Sequence, residues 1–251
     1  MALGPNTDAR MRPYGQAGAY AEEYDAGLRA HMLRVYNYMA SGLLLTGIVA
    51  YFTASTPAIM QMFYTASATG QLQPTILAYI VMFAPLAFIL VLSFGINKMS
   101  ASTAQAVFWV FTVVMGLSSA HIFLTFTGGS IARVFFISAA TFGAMSLYGY
   151  TTKRDLSKFG SFLIMGLIGI MIASIVNIFV GSSALQFVIS VVGVLVFVGL
   201  AAHDTQQIKL MYDEADASDT ATKKAVMGAL SLYLDFLNLF MLLLQLFGDR
   251  R

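Results

Sequence analysis

Three stretches of this chain contain no Asp, Glu, Lys or Arg: Val35 to Asn97, Met99 to Ala132, and Phe159 to His203. Each is long enough for one or two helices of roughly 20 residues, the length that crosses the hydrocarbon of a bilayer. A soluble domain keeps its surface hydrated with about a quarter of its residues charged. Here the charged share is 10%, against 58% hydrophobic, so no soluble surface of ordinary kind can be built. Backbone amides in hydrocarbon need partners within the protein, which leaves helices or closed barrels. Barrel strands alternate apolar and polar positions, and these runs are continuously apolar. The expected fold class is all-α integral membrane.

Helices are expected near residues 33–52, 76–95, 104–126, 132–150, 159–180, 184–211 and 226–247. Residues 1–30 then form a polar N-terminal segment, and 31–251 a single seven-helix membrane domain. Pro57, Gly70 and Pro74 mark the first connection, Gly128 and Gly129 the third, and Gly181 separates the fifth and sixth spans. The N-terminal segment lacks an apolar core ahead of a cleavage site, so the first span is expected to act as the insertion signal. With the N-terminus in the cytoplasm, the loops on that side hold 11 Lys and Arg and the opposite side holds 3, namely Arg133, Arg250 and Arg251. The positive-inside rule favours that orientation. An odd number of spans places the C-terminus outside; a re-entrant last segment would return it. With no cysteine, disulfides and thiolate chemistry are absent, and no basic run interleaved with aromatics points to nucleic acid.

Two acids fall inside predicted spans: Asp204 and Asp235. An Asp at a helix centre costs about 2.5–3.5 kcal/mol on insertion scales and normally faces a partner or a cavity. Counted at 1.5 Å per residue from the same surface, both lie roughly 10–14 Å deep, so adjacent antiparallel helices can set them side by side. Two carboxylates a hydrogen bond apart share a proton and titrate as a coupled unit. Fully ionised, they are a hard oxygen site suited to Ca²⁺. A proton-gated cation path is the expectation, with Asp204 and Asp235 as sensor and cation site. Ser231, Asp235, Asn238 and Gln245 share one face of the last helix, and Gln207 shares a face with Asp204. Ser118, His121 and Thr125 on the third span, with Ser174 and Asn177 on the fifth, complete a candidate cavity lining. His203 adjoins Asp204 in sequence but is expected to point about 100° away. The acids Asp213 to Asp219 are expected to be a solvated loop.

At these residues the sequence resembles the Bax inhibitor/YccA family (transmembrane Bax-inhibitor-motif proteins), in its bacterial form. Ala202–His203–Asp204–Thr205–Gln206–Gln207–Ile208 is similar to the end of that family's sixth helix, and Gly228 to Gly248 to its last helix. Thr151 to Asp155 matches the fourth connection, and the resemblance runs from about Glu23 to Arg251. It implies six helices around a central seventh, and a pH-sensitive Ca²⁺ leak through a paired-aspartate site that falls on Asp204 and Asp235. It also implies a role in stress or cell-death regulation and, as a candidate partner, a membrane-anchored AAA protease. A bacterial cytoplasmic (inner) membrane is the implied location. The family's basic latch residue has no clear counterpart here; Lys98 and Arg133 lie at loop edges.

No enzyme is expected and no cofactor, Ca²⁺ entering only as a bound or transported ion. An intramembrane aspartyl protease also places aspartates on its sixth and seventh helices, but Leu232–Tyr233–Leu234–Asp235 is not the Gly-x-Gly-Asp form. Gly116–Leu117–Ser118–Ser119 is not the Gly-x-Ser-Gly of a rhomboid, and the last helix has no deep lysine for retinal. The open alternative to a leak channel is a regulator that transports nothing and acts by binding its partner.

Overall fold

The computed structural model describes residues 14–66 and 72–251, with side chains from Tyr24 onward except at 66 and 72. The first 13 residues of the polar N-terminal segment, including Arg10 and Arg12, lie outside the described residues, as does Gly70.

In chain order the elements are α1 (Tyr14–Ser55), α2 (Pro57–Phe63), β1 (Tyr64–Ala66), β2 (Leu72–Pro74), α3 (Ile76–Gly95), a 3-10 turn (Ile96–Lys98), α4 (Ala101–Ser119), α5 (His121–Thr125), α6 (Gly128–Thr151), α7 (Ser157–Val180), α8 (Ser183–Leu210) and α9 (Ser218–Phe247). Among the described residues, seven helical stretches are long and apolar enough to cross a membrane: α1, α3, α4 with α5, α6, α7, α8 and α9. Their boundaries follow local chemistry. Thr75, Ser100, Thr127 and Ser182 each accept a hydrogen bond from a backbone N–H in the first turn of the helix that follows. Such caps satisfy donors that a helix end leaves open. Gly181 ends α7 at φ +65, a left-handed conformation that glycine adopts without a Cβ penalty.

Two helices exceed the lengths expected from hydropathy. α1 begins by Tyr14 and runs through Arg29 and Arg34, and α9 begins at Ser218, two turns before Val226. Hydropathy marks only the section in hydrocarbon, whereas the helical hydrogen-bond ladder continues past the interface into water. The third span is divided at Ala120, and the first connection contains a short antiparallel ribbon pairing Tyr64 with Pro74.

α9 is the most buried span, and α1, α4, α6 and α8 pack directly on it. α3 packs against α4, and α7 against α8, so the helices around the central seventh stand in two tiers. Phe94, Phe136, Met165, Ile178 and Phe179 stand exposed on the outer helices, as lipid-facing side chains do. Small residues set the closest approach. At Gly149 of α6, a Cβ would come within 2.1 Å of the Ala202 carbonyl oxygen of α8.

The chain passes the bundle end to end seven times, and the two ends differ. One, here the basic end, holds the 96–100, 152–156 and 211–217 connections with Lys98, Lys153, Arg154, Lys223 and Lys224. At the other end the C-terminus docks on the α5–α6 connection. The Thr127 N–H donates to the Asp249 carbonyl at 3.0 Å, the Arg251 N–H to the Thr125 carbonyl at 3.0 Å, and Arg133 pairs with Asp249 at 2.9 Å. α9 therefore runs the full length of the bundle, and its last segment does not re-enter.

Candidate functional site

α8 and α9 are antiparallel neighbours whose register is set by two glycines. Gly228 of α9 receives Ile208, and Gly193 of α8 receives Leu242. From the first of these contacts, Asp204 lies four residues back along α8 and Asp235 seven residues on along α9. Those steps are about 6 Å and about 10 Å of rise in the same direction, so the side chains meet. The Asp204 carboxyl lies close enough to that of Asp235 for the two acids to interact. Asp235 is 6% exposed, and its Oδ2 has no hydrogen-bond partner. Asp204 is less enclosed, and its Oδ1 lies 2.8 Å from Nδ1 of His203. The imidazole thus turns back onto the neighbouring acid rather than away from it, as its position on the helical wheel suggested. Among the described residues neither acid has a lysine or arginine partner: Lys98 lies at the basic end and Arg133 is engaged at the opposite one.

The other expected lining residues divide. Ser231 is half-buried one turn before Asp235. Asn238 is exposed and donates to the Leu234 carbonyl of its own helix at 2.8 Å. Gln245 joins a separate cluster near the far end, accepting from Gln186 at 2.6 Å and from Ser190 at 3.0 Å. Asn177 donates to Gln186 there. Gln207 donates to the Ser157 hydroxyl at 2.9 Å, away from the pair. His121 sits at the α4–α5 break with Nδ1 2.8 Å from the Ser118 carbonyl, in a pocket shared with the β1–β2 ribbon. It does not join the site, nor do Ser118 and Thr125, because all three lie toward the end of the bundle opposite the basic end. Ser174 donates to the Ile170 carbonyl within its own helix.

Several polar groups that frame the pair were not expected from sequence. Thr205 is fully buried and shares a hydrogen bond of 2.7 Å with Ser146 of α6, which bonds Tyr36 of α1 at 2.7 Å. Gln206 accepts from the Leu156 N–H and donates to the Arg154 carbonyl, both at 2.8 Å, fastening the 152–156 connection to α8. Within that connection the Ser157 N–H and hydroxyl both donate to Asp155 and hold its carboxyl below the usual carboxylate range. Tyr233, two residues before Asp235, bonds Thr46 of α1 at 2.6 Å. His31, buried at the basic end against the Tyr212 ring, keeps Nε2 without a partner.

A profile of the family described as "Inhibitor of apoptosis-promoting Bax1" matches residues 28–251. The chain belongs to the Bax inhibitor family. It is 46% identical over 228 residues to inner membrane protein YbhL of Escherichia coli (strain K12), covering 90% of this chain and 94% of that one. It is 49% identical over 229 residues to Uncharacterized protein RP147 of Rickettsia prowazekii (strain Madrid E), covering 91% and 93%. Uncharacterized membrane protein M6_Spy0327 of Streptococcus pyogenes serotype M6 is 33% identical over 224 residues, covering 89% and 94%. The chain is thus an integral membrane protein with bacterial relatives across nearly its whole length.

Chemically, the Asp204–Asp235 arrangement brings two carboxyls together without a basic side chain of the described residues between them. Two carboxylates are fewer than the six to eight oxygens that Ca²⁺ takes in a resident site. Among the described residues no group of three or more His, Asp or Glu forms a metal-ligand set. Two of the acids between Asp213 and Asp219 are paired locally, Asp216 with Lys224 at 2.5 Å and Asp219 with Lys223 at 2.7 Å. The pair therefore suits a passing cation or a shared proton better than a stored metal.

Proposed function

We propose that this member of the Bax inhibitor family is a slow cation leak, for Ca²⁺, governed by the proton shared between Asp204 and Asp235. One observation carries the reading. Among the described residues, Thr46, Thr112, Ser146, Thr205 and Gln206 are buried and hydrogen-bonded, whereas Oδ2 of Asp235 and Nε2 of His31 have no partner, and of those two only Asp235 faces a second acid. A buried acid kept only for structure would be satisfied, because an orphaned acceptor costs about 1–3 kcal/mol or more. An acid facing a second acid binds a proton or a cation and changes partners when either leaves. With the proton in place the pair is joined by a hydrogen bond; without it, like charges face each other between α8 and α9. His203 on Asp204 supplies a further group able to exchange that proton.

The reading places the N-terminus and the basic end in the cytoplasm of a bacterium, with the protein in the inner membrane. The count of Lys and Arg and the name of the Escherichia coli relative support this placement. No chemistry on a covalent substrate is assigned to the site.

The test is Ca²⁺ flux into dye-loaded liposomes across a pH series, for the wild type, D204N, D235N and the double variant. The expected outcome is a pH-dependent flux whose dependence is lost in the double variant. Flux unchanged by the double substitution rejects the pair as the gate. Absence of flux in every protein, with co-purification of a membrane-anchored AAA protease or another partner, would instead identify a non-transporting regulator.

A further inference from the structure

A groove of about 990 Å³ runs along the side of the bundle between α1 and α6, with Phe236 of α9 contributing to its lining. It extends along α1 from Arg29 to Phe52, about 34 Å at 1.5 Å per residue, which matches the roughly 30 Å depth of the hydrocarbon. Leu44, Ile48, Tyr51 and Leu147 on its walls are exposed, so the groove opens sideways into the bilayer rather than into water. Apolar walls at that depth are filled by acyl chains.

The charge at its basic end selects the headgroup. Arg29 lines the mouth, is exposed, and has no ion-pair partner among the described residues. Beside it, Tyr150 also lines the mouth, and Lys209 donates to the Tyr150 carbonyl at 2.9 Å with Nζ 5.1 Å from the ring centroid. Among the described residues no Asp or Glu lines the groove. An unpaired guanidinium at the interface, with a second cation behind it, complements a phosphate in bidentate fashion.

We infer that the groove between α1 and α6 holds one anionic phospholipid, its phosphate on Arg29 and its acyl chains lying along the α1 and α6 walls over Phe236. The site is distinct from the aspartate pair and does not depend on ion transport. The Tyr36–Ser146 bond joins the two walls beneath the groove.

Two glycines make the test clean. A Cβ at Gly47 or Gly143 would meet nothing within 4 Å, and both residues line the groove, so Gly47→Phe and Gly143→Phe each carry a ring into the space of the acyl chains, with the unfolding temperature reporting whether the bundle is kept. The full-length protein is reconstituted in nanodiscs of equal phosphatidylglycerol and phosphatidylcholine, released, and examined by native mass spectrometry, with thermal unfolding as the fold control. The wild type is expected to retain one lipid, preferring phosphatidylglycerol roughly fivefold, the scale of one basic side chain facing an anionic lipid. R29Q is expected to keep a lipid with no headgroup preference, and each filled variant to lose it. Equal retention in wild-type and both filled variants overturns the proposal. So does a second copy of the chain occupying the groove in place of lipid, or inorganic phosphate raising the unfolding temperature as much as phosphatidylglycerol does.

Discussion

Two residues before Asp235, the Tyr233 hydroxyl ties α9 to Thr46 of α1. Thr46 of α1 donates to the Thr112 carbonyl of α4 at 2.8 Å, which commits its single hydrogen. The 2.6 Å contact between Thr46 and Tyr233 therefore has the tyrosine as donor. The Tyr233 ring is fully buried, with edge contacts to Phe111 and Phe108 at 5.3 and 6.3 Å. Tyr233→Phe keeps that packing and removes one accepted bond from a threonine that still donates; the expected loss is about 0.6–1 kcal/mol, the scale of interhelical bonds in membranes. Thr46→Val leaves a buried phenolic donor with no acceptor, and about 1–3 kcal/mol is expected. The double variant removes donor and acceptor together and should cost no more than Thr46→Val alone. The cycle then shows a coupling of about 1 kcal/mol, within the range for residues in contact. Equilibrium unfolding in mixed micelles measures all four proteins. Strict additivity, or a larger loss from Tyr233→Phe than from Thr46→Val, would refute the assignment of donor and acceptor.

Two further outcomes follow from geometry. Gly149→Ala drives a methyl against the Ala202 carbonyl and must part α6 from α8; a loss of about 1–3 kcal/mol is expected, seen as a lower unfolding temperature in detergent, whereas Gly143→Ala should leave it unchanged. Because the chain has no cysteine, single thiols report sidedness directly. With the basic end in the cytoplasm, a membrane-impermeant maleimide should label Gly129→Cys in intact cells and Ala217→Cys only after lysis, and the reverse pattern would reject the assigned orientation.

The spans were legible because each is a near-unbroken run of apolar residues, and the breaks were legible where Gly181, Pro57 or Gly128 punctuate them. The helix extensions at Tyr14–Met32 and Ser218–Ala225 were not. Those residues are polar and charged, and a hydropathy reading has no means of telling a helix in water from a loop in water. Their hydrogen bonds make the difference: Asp219 accepts from the Ala101 N–H, and Lys223 donates to the Met99 carbonyl, fixing the first turns of α9 to the start of α4. Such contacts across 118 and 124 residues leave no local pattern.

The acids of the candidate site were found because a charge in hydrocarbon stands out; their polar surroundings were largely misassigned, for a reason that lies in the packing. Choosing companions by spacing of three or four assumes that a helix has one inward face. α8 is enclosed by α6, α7 and α9, and α9 by α1, α4, α6 and α8, so on these helices several faces point inward. Gln207, on the face of Asp204, reaches Ser157, while its neighbour Gln206 reaches Arg154 and Leu156 and Thr205 reaches Ser146. Each polar residue on an enclosed helix takes the partner that its own neighbour offers, and a sequence does not name that neighbour. Asp235 departs from this pattern. It is buried like the leucines around it, yet its Oδ2 is left without a donor beside a second carboxyl. Among the described residues only His31 Nε2 shares that lack of a partner, and His31 faces no second acid, which is why the proposed gate is placed at Asp204 and Asp235.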